Sequence, residues 1–282
     1  MNVKELTHEG VLSLLPDRAI NTHKGNYGKI LLLCGSKGYT GAPALAAMGA
    51  LRTGAGLVYL GVPSSIYEIE AVKLLEPIIF SLPDMDGKLS DRAITEIEKM
   101  LTNMDAVLVG CGLGQSAGTF AVVEYLLKHY SGPVVLDADG INVISGHMDI
   151  VRGRTSPVIL TPHDGEFLRL GGVLSGDRIM DAGVLASNLG AIIVLKGHRT
   201  VITDGNDCYI NPTGNPGMAV GGSGDVLAGM IVSLLGQGLS PMDSAACSAW
   251  LHGAAGDICA NEIGQYGMLP SDMLQVLPRL MK

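Results

Sequence analysis

Aromatic side chains are scarce in this chain: Phe, Trp and Tyr make up 4% of the 282 residues, and there is one Trp. Charge is also thin, at 16%, and its balance of 19 basic against 27 acidic residues leaves a formal net charge of −8. No Lys/Arg run is long enough to track a phosphate backbone, so nucleic acid is excluded as a partner. The opening segment MNVKELTHEG lacks an apolar h-region, and no stretch reaches the ~18 uncharged apolar residues that span a bilayer. These absences predict a cytoplasmic protein with no membrane contact. Cys34, Cys111, Cys208, Cys247 and Cys259 are odd in number and without CxxC spacing, which argues against a disulfide framework or a zinc site. Cys34, Cys111 and Cys259 lie in apolar stretches and read as small buried residues. There is no Walker motif, because the loop GSKGYTG from Gly35 has the wrong spacing. Pro/Ser linkers, charge blocks and 20–50-residue repeats are missing too, so residues 1–282 are taken as one domain with residues 1–22 as an N-terminal extension.

Glycine is what the chain has in excess: 39 residues, about twice the usual ~7% share. With 47% hydrophobic content the chain has ample apolar surface to fold. Short Val/Ile/Leu-rich runs recur as KILLLCG from Lys29, GLVYLGVP from Gly56, AVLVGCG from Ala106, PVVLDAD from Pro133, PVILTPH from Pro157 and AIIVLKG from Ala191. None alternates apolar with polar, as expected of parallel strands buried on both faces. Helical segments over 42–53, 90–101 (Ser90 as N-cap), 117–129 and 178–188 separate them. The order predicts an α/β fold with a mostly parallel central sheet and helices on both faces. After Lys196, VITDG and CYINP predict a hairpin at the sheet edge. Two helices rich in small residues follow over 225–235 and 243–261, and a last helix begins after Pro270 with Ser271 as cap.

Ligands of open α/β sheets bind beyond the carboxyl ends of the strands, and three glycine-rich or polar clusters are predicted there. In NPTGNPGMAVGGSGDVLAG from Asn211, the segment Gly221, Gly222, Ser223, Gly224 opens directly into an apolar helix. Its unpaired amides and the positive helix end make an anion hole, with Asp225 on the first turn as the candidate general base. An Asp there can also merely complement the helix dipole, but a simple cap needs no such clearance before it. GCGLG from Gly110 reads as G-x-G-x-x-A from Gly112, with Asp137 twenty residues after Ala117. That spacing imitates a dinucleotide fingerprint and keeps an NAD-dependent oxidoreductase open, with Gly112 and Gly114 at the cofactor and Asp137 on the ribose. TPHDGEF from Thr161 offers His163 as a ligand-orienting group beside Asp137 and Asn142, although lone histidines are more often structural. His23, His198 and His252 have no comparable company. Lys196-Gly-His-Arg-Thr200 places two cations on a turn, suited to a nucleotide phosphate or equally to a charged hairpin.

Taken together, HKGNYGKI from His23, GSKGYTGA, GCGLG, LDADGIN, TPHDGEF, KGHRT and NPTGNPGMAVGGSGDVLAGM resemble, in this order, the NAD(P)H-hydrate dehydratase family on the ribokinase-like fold. The resemblance runs from His23 to the C-terminus and leaves no room for the companion epimerase domain of many relatives. It implies a hydro-lyase that restores hydrated NADH or NADPH with ADP or ATP as co-substrate, and Mg2+ bridging the nucleotide phosphates, with no metal ligand assigned. By resemblance, Asp225 is the base and contacts substrate. Lys196, Gly197, His198, Arg199 and Thr200, with Gly222, Ser223 and Gly224, hold the adenine nucleotide. Ala42, Gly112, Gly114, Asp137 and His163 line the hydrated dinucleotide. Cys111 stands where relatives often carry Pro, and Val220 where they often carry Thr. Bacterial members mostly use ADP, and relatives are often tetramers, so a homo-oligomer is expected. The alternative on this fold is a vitamin or sugar kinase.

Overall fold

The computed structural model describes residues 2–281. In chain order the strands are β1 (Asn2–Glu5), β2 (Lys29–Leu33), β3 (Leu57–Pro63), β4 (Ile78–Leu82), β5 (Asp84–Met85), β6 (Lys88–Leu89), β7 (Ala106–Val109), β8 (Val134–Leu136), β9 (Val158–Leu160), β10 (Ile192–Leu195), β11 (Val201–Thr203) and β12 (Asp207–Ile210). The helices are α1 (His8–Leu14), α2 (Gly41–Arg52), α3 (Tyr67–Lys73), α4 (Ile94–Leu101), α5 (Ala117–His129), α6 (Asp139–Val143), α7 (Asp149–Arg152), α8 (Asp164–Arg169), α9 (Arg178–Leu189), α10 (Ser223–Gly236), α11 (Pro241–Glu262) and α12 (Pro270–Leu280).

Ten strands form one sheet in the order β1-β12-β11-β10-β9-β8-β7-β2-β3-β4. Only β11 runs against the others: it pairs antiparallel with β10 and β12, and every other pairing in the sheet is parallel. Apart from Lys29 at the start of β2, the strands β2 and β7 to β10 have an apolar residue at every position because each face is covered. Ile30 and Leu32 of β2 join one core with α2, α10, α11 and α12, while Leu31 and Leu33 join the other with α4, α5 and α9. The chain moves outward from β2 through β3 to β4. It then returns to β7 on the other side of β2 and proceeds to β10. The reversal between β2 and β7 is the switch point at which such sheets open a crevice.

Several features depart from the sequence reading. The first 22 residues are not set apart from the fold: β1 extends the sheet by parallel pairing with β12, and Val11 of α1 is fully buried. The β11–β12 hairpin is therefore one strand inside the edge. Ser90 does not cap through its side chain; a 3-10 turn over Asp91–Ala93 leads into α4. Ser271 is likewise inside the last helix, whose N-cap is Leu269 with Asp272 accepting from the Leu269 amide. β4 and the small β5–β6 hairpin, which follow α3, have no counterpart among the apolar runs of the sequence.

Candidate active site

The parallel register brings the residues after β10, β9, β8, β7 and β2 side by side at the carboxyl end of the sheet: Lys196, Thr161, Asp137, Cys111 and Cys34. Asp137, 2% exposed, is the hub. Its Oδ1 accepts from Lys196 Nζ at 2.8 Å and from Thr161 Oγ1 at 2.6 Å, and the Cys111 thiol donates to its Oδ2 at 3.6 Å. Glu166 Oε2 lies 3.8 Å from the same ammonium. Burial alone would lower the Lys196 pKa, but Asp137 and Glu166 outweigh it and hold the ammonium above its ordinary value.

α10 points its N-terminus at this network. Gly222 caps it in the left-handed region (φ 99°), where a side chain would also collide with Leu45. The Ser223 amide turns back to the Val220 carbonyl, whereas the Gly224 and Asp225 amides belong to the first turn, whose N–H groups lack intrahelical acceptors. A Cβ on Gly224 would stand 3.3 Å from Lys196 Nζ and 4.0 Å from Asp137 Oδ2, so the missing side chain leaves open the space between helix end and ammonium. Asp225 borders that space. Burial, then the Asp137 charge and more weakly Asp139, raise its pKa to about 6, while the Cys111 thiol and Lys196 pull it down. A carboxylate poised there is mostly ionised at neutral pH yet accepts a proton more readily than a free one.

Across the crevice, residues 35–41 sit on the turn after β7. The Gly35 amide donates to the Cys111 carbonyl at 2.8 Å, and Ser36 Oγ to the Gly112 carbonyl at 2.7 Å. Gly112 is left-handed (φ 64°), and a Cβ there would come within 2.8 Å of Ala42 Cβ. Gly114 donates its amide to Asp139 Oδ2 at 2.8 Å. Ala42 and Gly112 are thus in contact, whereas Gly114 faces Lys88 and Asp139. Asp137, the acidic member of the dinucleotide fingerprint, accepts from Lys196 and Thr161 through Oδ1.

The other predicted residues are more dispersed. His163 Nδ1 caps α8 by accepting from the Gly165 and Glu166 amides, and its own amide donates to Glu166 Oε2 at 2.9 Å, leaving an exposed imidazole at the rim. Asn142 Oδ1 accepts from Arg169 Nε. Of the 196–200 turn, Lys196 faces inward, Gly197 and His198 are exposed, Thr200 Oγ1 donates to the Gly197 carbonyl, and Arg199 reaches Glu5 of β1 at 2.6 Å. His252 does have company: its Nε2 lies 3.4 Å from Ser223 Oγ, and burial lowers its pKa to about 4. Thr161, Asp139 and Glu166 also join the site. Thr161 directly follows β9, whereas Asp139 lies on α6 and Glu166 on α8; the TPHDGEF and LDADGIN motifs contain all three, but a motif cannot show a partner contributed by another strand.

Cys111, Asp137 and Asp225 have ligand atoms within 4.8 Å of one another, the compact metal-capable group among the described residues. It does not suit Mg2+. A hard cation seeks several oxygen ligands, whereas here one donor is a thiol and one carboxylate already holds an ammonium.

A family model described as NAD(P)H-hydrate dehydratase matches residues 30–279. The bifunctional NAD(P)H-hydrate repair enzyme Nnr of Moorella thermoacetica is 43% identical over 288 residues, covering 100% of this chain and 54% of that protein. The chain spans about half the length of the bifunctional relatives it matches. The ADP-dependent (S)-NAD(P)H-hydrate dehydratase of Bacillus subtilis is 36% identical, covering 100% of this chain and 99% of its own length. A crystal structure of the ADP/ATP-dependent enzyme from that species, co-crystallised with ATP/Mg2+, superposes with a TM-score of 0.84 at 34% identity, over 99% of this chain and 98% of the other. A ribokinase-like superfamily protein of Enterococcus faecalis gives 0.88 at 27% identity, over 99% and 95%. With the fold, the strand-end network and these matches in agreement, the chain belongs to the NAD(P)H-hydrate dehydratase family and has its ribokinase-like fold.

Proposed function

We propose that this protein is a hydro-lyase that dehydrates hydrated NADH or NADPH at the expense of an adenine nucleotide, ADP by preference over ATP. The observation that carries this reading is Asp225, with a pKa of about 6, bordering the gap between the α10 amides and Lys196. Hydroxide is a poor leaving group. Asp225 takes the proton from the substrate's ring hydroxyl as its oxygen attacks the terminal phosphorus of the nucleotide, and the bond to the bridging oxygen of the nucleotide breaks. The Gly224 and Asp225 amides and the Lys196 ammonium offset charge on the phosphoryl oxygens. The phosphate group, now a good leaving group, departs as inorganic phosphate while the ring nitrogen's electron pair moves in to give an iminium, and loss of the proton from the adjacent ring carbon to solvent re-forms the double bond of the reduced nicotinamide.

In this reading residues 196–200 and Gly222 to Gly224 hold the nucleotide, while Ala42, Gly112, Gly114 and His163 meet the dinucleotide. Mg2+ enters with the nucleotide phosphates rather than in a cage of this chain's side chains. We place the protein in the cytoplasm as a homo-oligomer, a tetramer in the fullest form. The free edge of β4 supports association, because Val72 and Leu75 beside it are 85% and 89% exposed. No helix among the described residues is long and apolar enough to cross a membrane.

Incubation with hydrated NADH and ADP is expected to restore the absorbance of the reduced ring with release of one inorganic phosphate per ring. A stable phosphorylated product without recovery of absorbance identifies a kinase instead, and no recovery with either ADP or ATP rejects the dehydratase reading.

A further inference from the structure

We propose that Cys111 is a positioning residue of this site: its S–H group, held between the Asp137 and Asp225 carboxylates and donating to Asp137 Oδ2, relieves the repulsion between the two and so leaves Asp225 ready to accept the substrate's proton. The inference rests on the reading of Asp225 as the base. Cys111 is fully buried, and the turn that carries it is fixed by its carbonyl, which accepts from the Gly35 amide at 2.8 Å. This aims Sγ at Asp137 Oδ2, 3.6 Å away, the oxygen that neither Lys196 nor Thr161 uses. The Asp225 carboxylate is the third corner, with all three atoms within 4.8 Å.

Two carboxylates this close repel each other, and Lys196 is bonded to only one of them. The groups facing Asp225 are Asp137 after β8, Asp139 on α6, Lys196 after β10 and the Cys111 thiol after β7. Cys34 backs the thiol from the end of β2, and Glu166 of α8 and His252 of α11 act on the network through Lys196. Among these four side chains that act on Asp225, the thiol is the uncharged donor. Contact with Cys34, burial and the adjacent carboxylates push its own pKa well up, so it holds its proton and serves as a donor, not as a nucleophile.

The experiment is the pH dependence of kcat/KM for hydrated NADH in the wild type, Cys111→Val and Cys111→Ser. Val fills the space without a donor; Ser restores the donor. The acid limb is expected to move up by about 0.5–1 pH unit in the Val variant, a loss of about 3- to 10-fold on the acid side, the worth of one such hydrogen bond. The Ser limb should return towards the wild type, and all three should converge in alkali. Cys111→Ala serves in place of Val if Val does not fold. Coincident limbs overturn the proposal while leaving Asp225 as base. A loss that is uniform across pH shows a packing role and overturns it too, and a wild type without an acid limb near pH 6 removes both readings together.

Discussion

At neutral pH the Asp225 carboxylate is ionised in surroundings that favour its protonated form, and this conflict has a sign that can be measured. Its folded pKa of about 6 lies above the ordinary value of 3.8, so the folded state keeps a proton that the unfolded chain releases. The group's contribution to stability is therefore fully present below pH 3.8, is lost as pH rises towards 6 and stays lost above it. A pKa difference of this size sets a ceiling of about 3 kcal/mol. Asp225→Asn, which mimics the protonated form, is expected to raise the melting temperature at pH 7 and to leave it nearly unchanged at pH 4. The same variant should lose about 10²–10⁴-fold in kcat while keeping its affinity for ADP, because it removes the base and spares the amides. Calorimetry at the two pH values and turnover with hydrated NADH check both halves. Unaltered turnover would mean that another group takes the proton. Asp225 itself is legible in the sequence, since a carboxylate three residues after a glycine pair and ahead of an apolar helix is a local pattern. Its tuning is not, because Asp137, Cys111 and Lys196 approach it from other strand ends. Nor can the sequence show that Asp137 is turned inward to Lys196, or that His252 meets Ser223 from a helix 29 residues further along.

Among the elements, α10 is held where it is by contact with α2 that leaves no room for side chains. A Cβ on Gly229 would collide with the Ala46 carbonyl oxygen, and one on Gly49 would come within 2.6 Å of the Val226 carbonyl oxygen. Backbone rests on backbone on both sides, and the start of α10 is one helical turn from this contact. Gly229→Ala adds intrinsic helix propensity of about 1 kcal/mol, yet it must push the two helices apart, at about 1–3 kcal/mol or more. The expected outcome is a lower melting temperature, together with a rise in KM for ADP as the anion hole shifts. A variant stabilised in the way helix propensity alone predicts would show that the helices separate without cost. The small residues of this segment announce close packing, and the Val/Ile/Leu runs announce the central strands, because buried parallel strands need no alternation. β1 and β4 are silent in the sequence for the opposite reason. β1 is exposed along its length and carries no apolar run, and the apolar run of β4, interrupted by Ser81, is only partly covered. The β11–β12 hairpin is legible from its turn, but its place in the sheet depends on residues more than 200 positions earlier.

For the whole molecule the decisive quantity is charge. Under the proposed function the net charge of −8 meets two anionic ligands, an adenine nucleotide and a dinucleotide, and, of the acidic residues, Asp137, Asp139, Asp225 and Glu166 sit around one buried ammonium. Long-range attraction cannot draw these ligands in. In that reading affinity comes from amides and the helix end acting at contact distance, and the field further out opposes approach. Salt screens that field over a length of about 10 Å at 0.1 M, but it screens the contacts inside the crevice far less. KM for ADP at fixed Mg2+ is therefore expected to fall about 2- to 3-fold as NaCl rises from low millimolar to ~0.1 M, the reverse of an enzyme that steers its substrate electrostatically. Initial rates across a NaCl series, with kcat and KM separated, test this. A KM that climbs steadily with salt would show that exposed cations, Arg199 and Lys37 among them, gather the nucleotide before it reaches the helix end, and that the local field at the rim overrides the net charge.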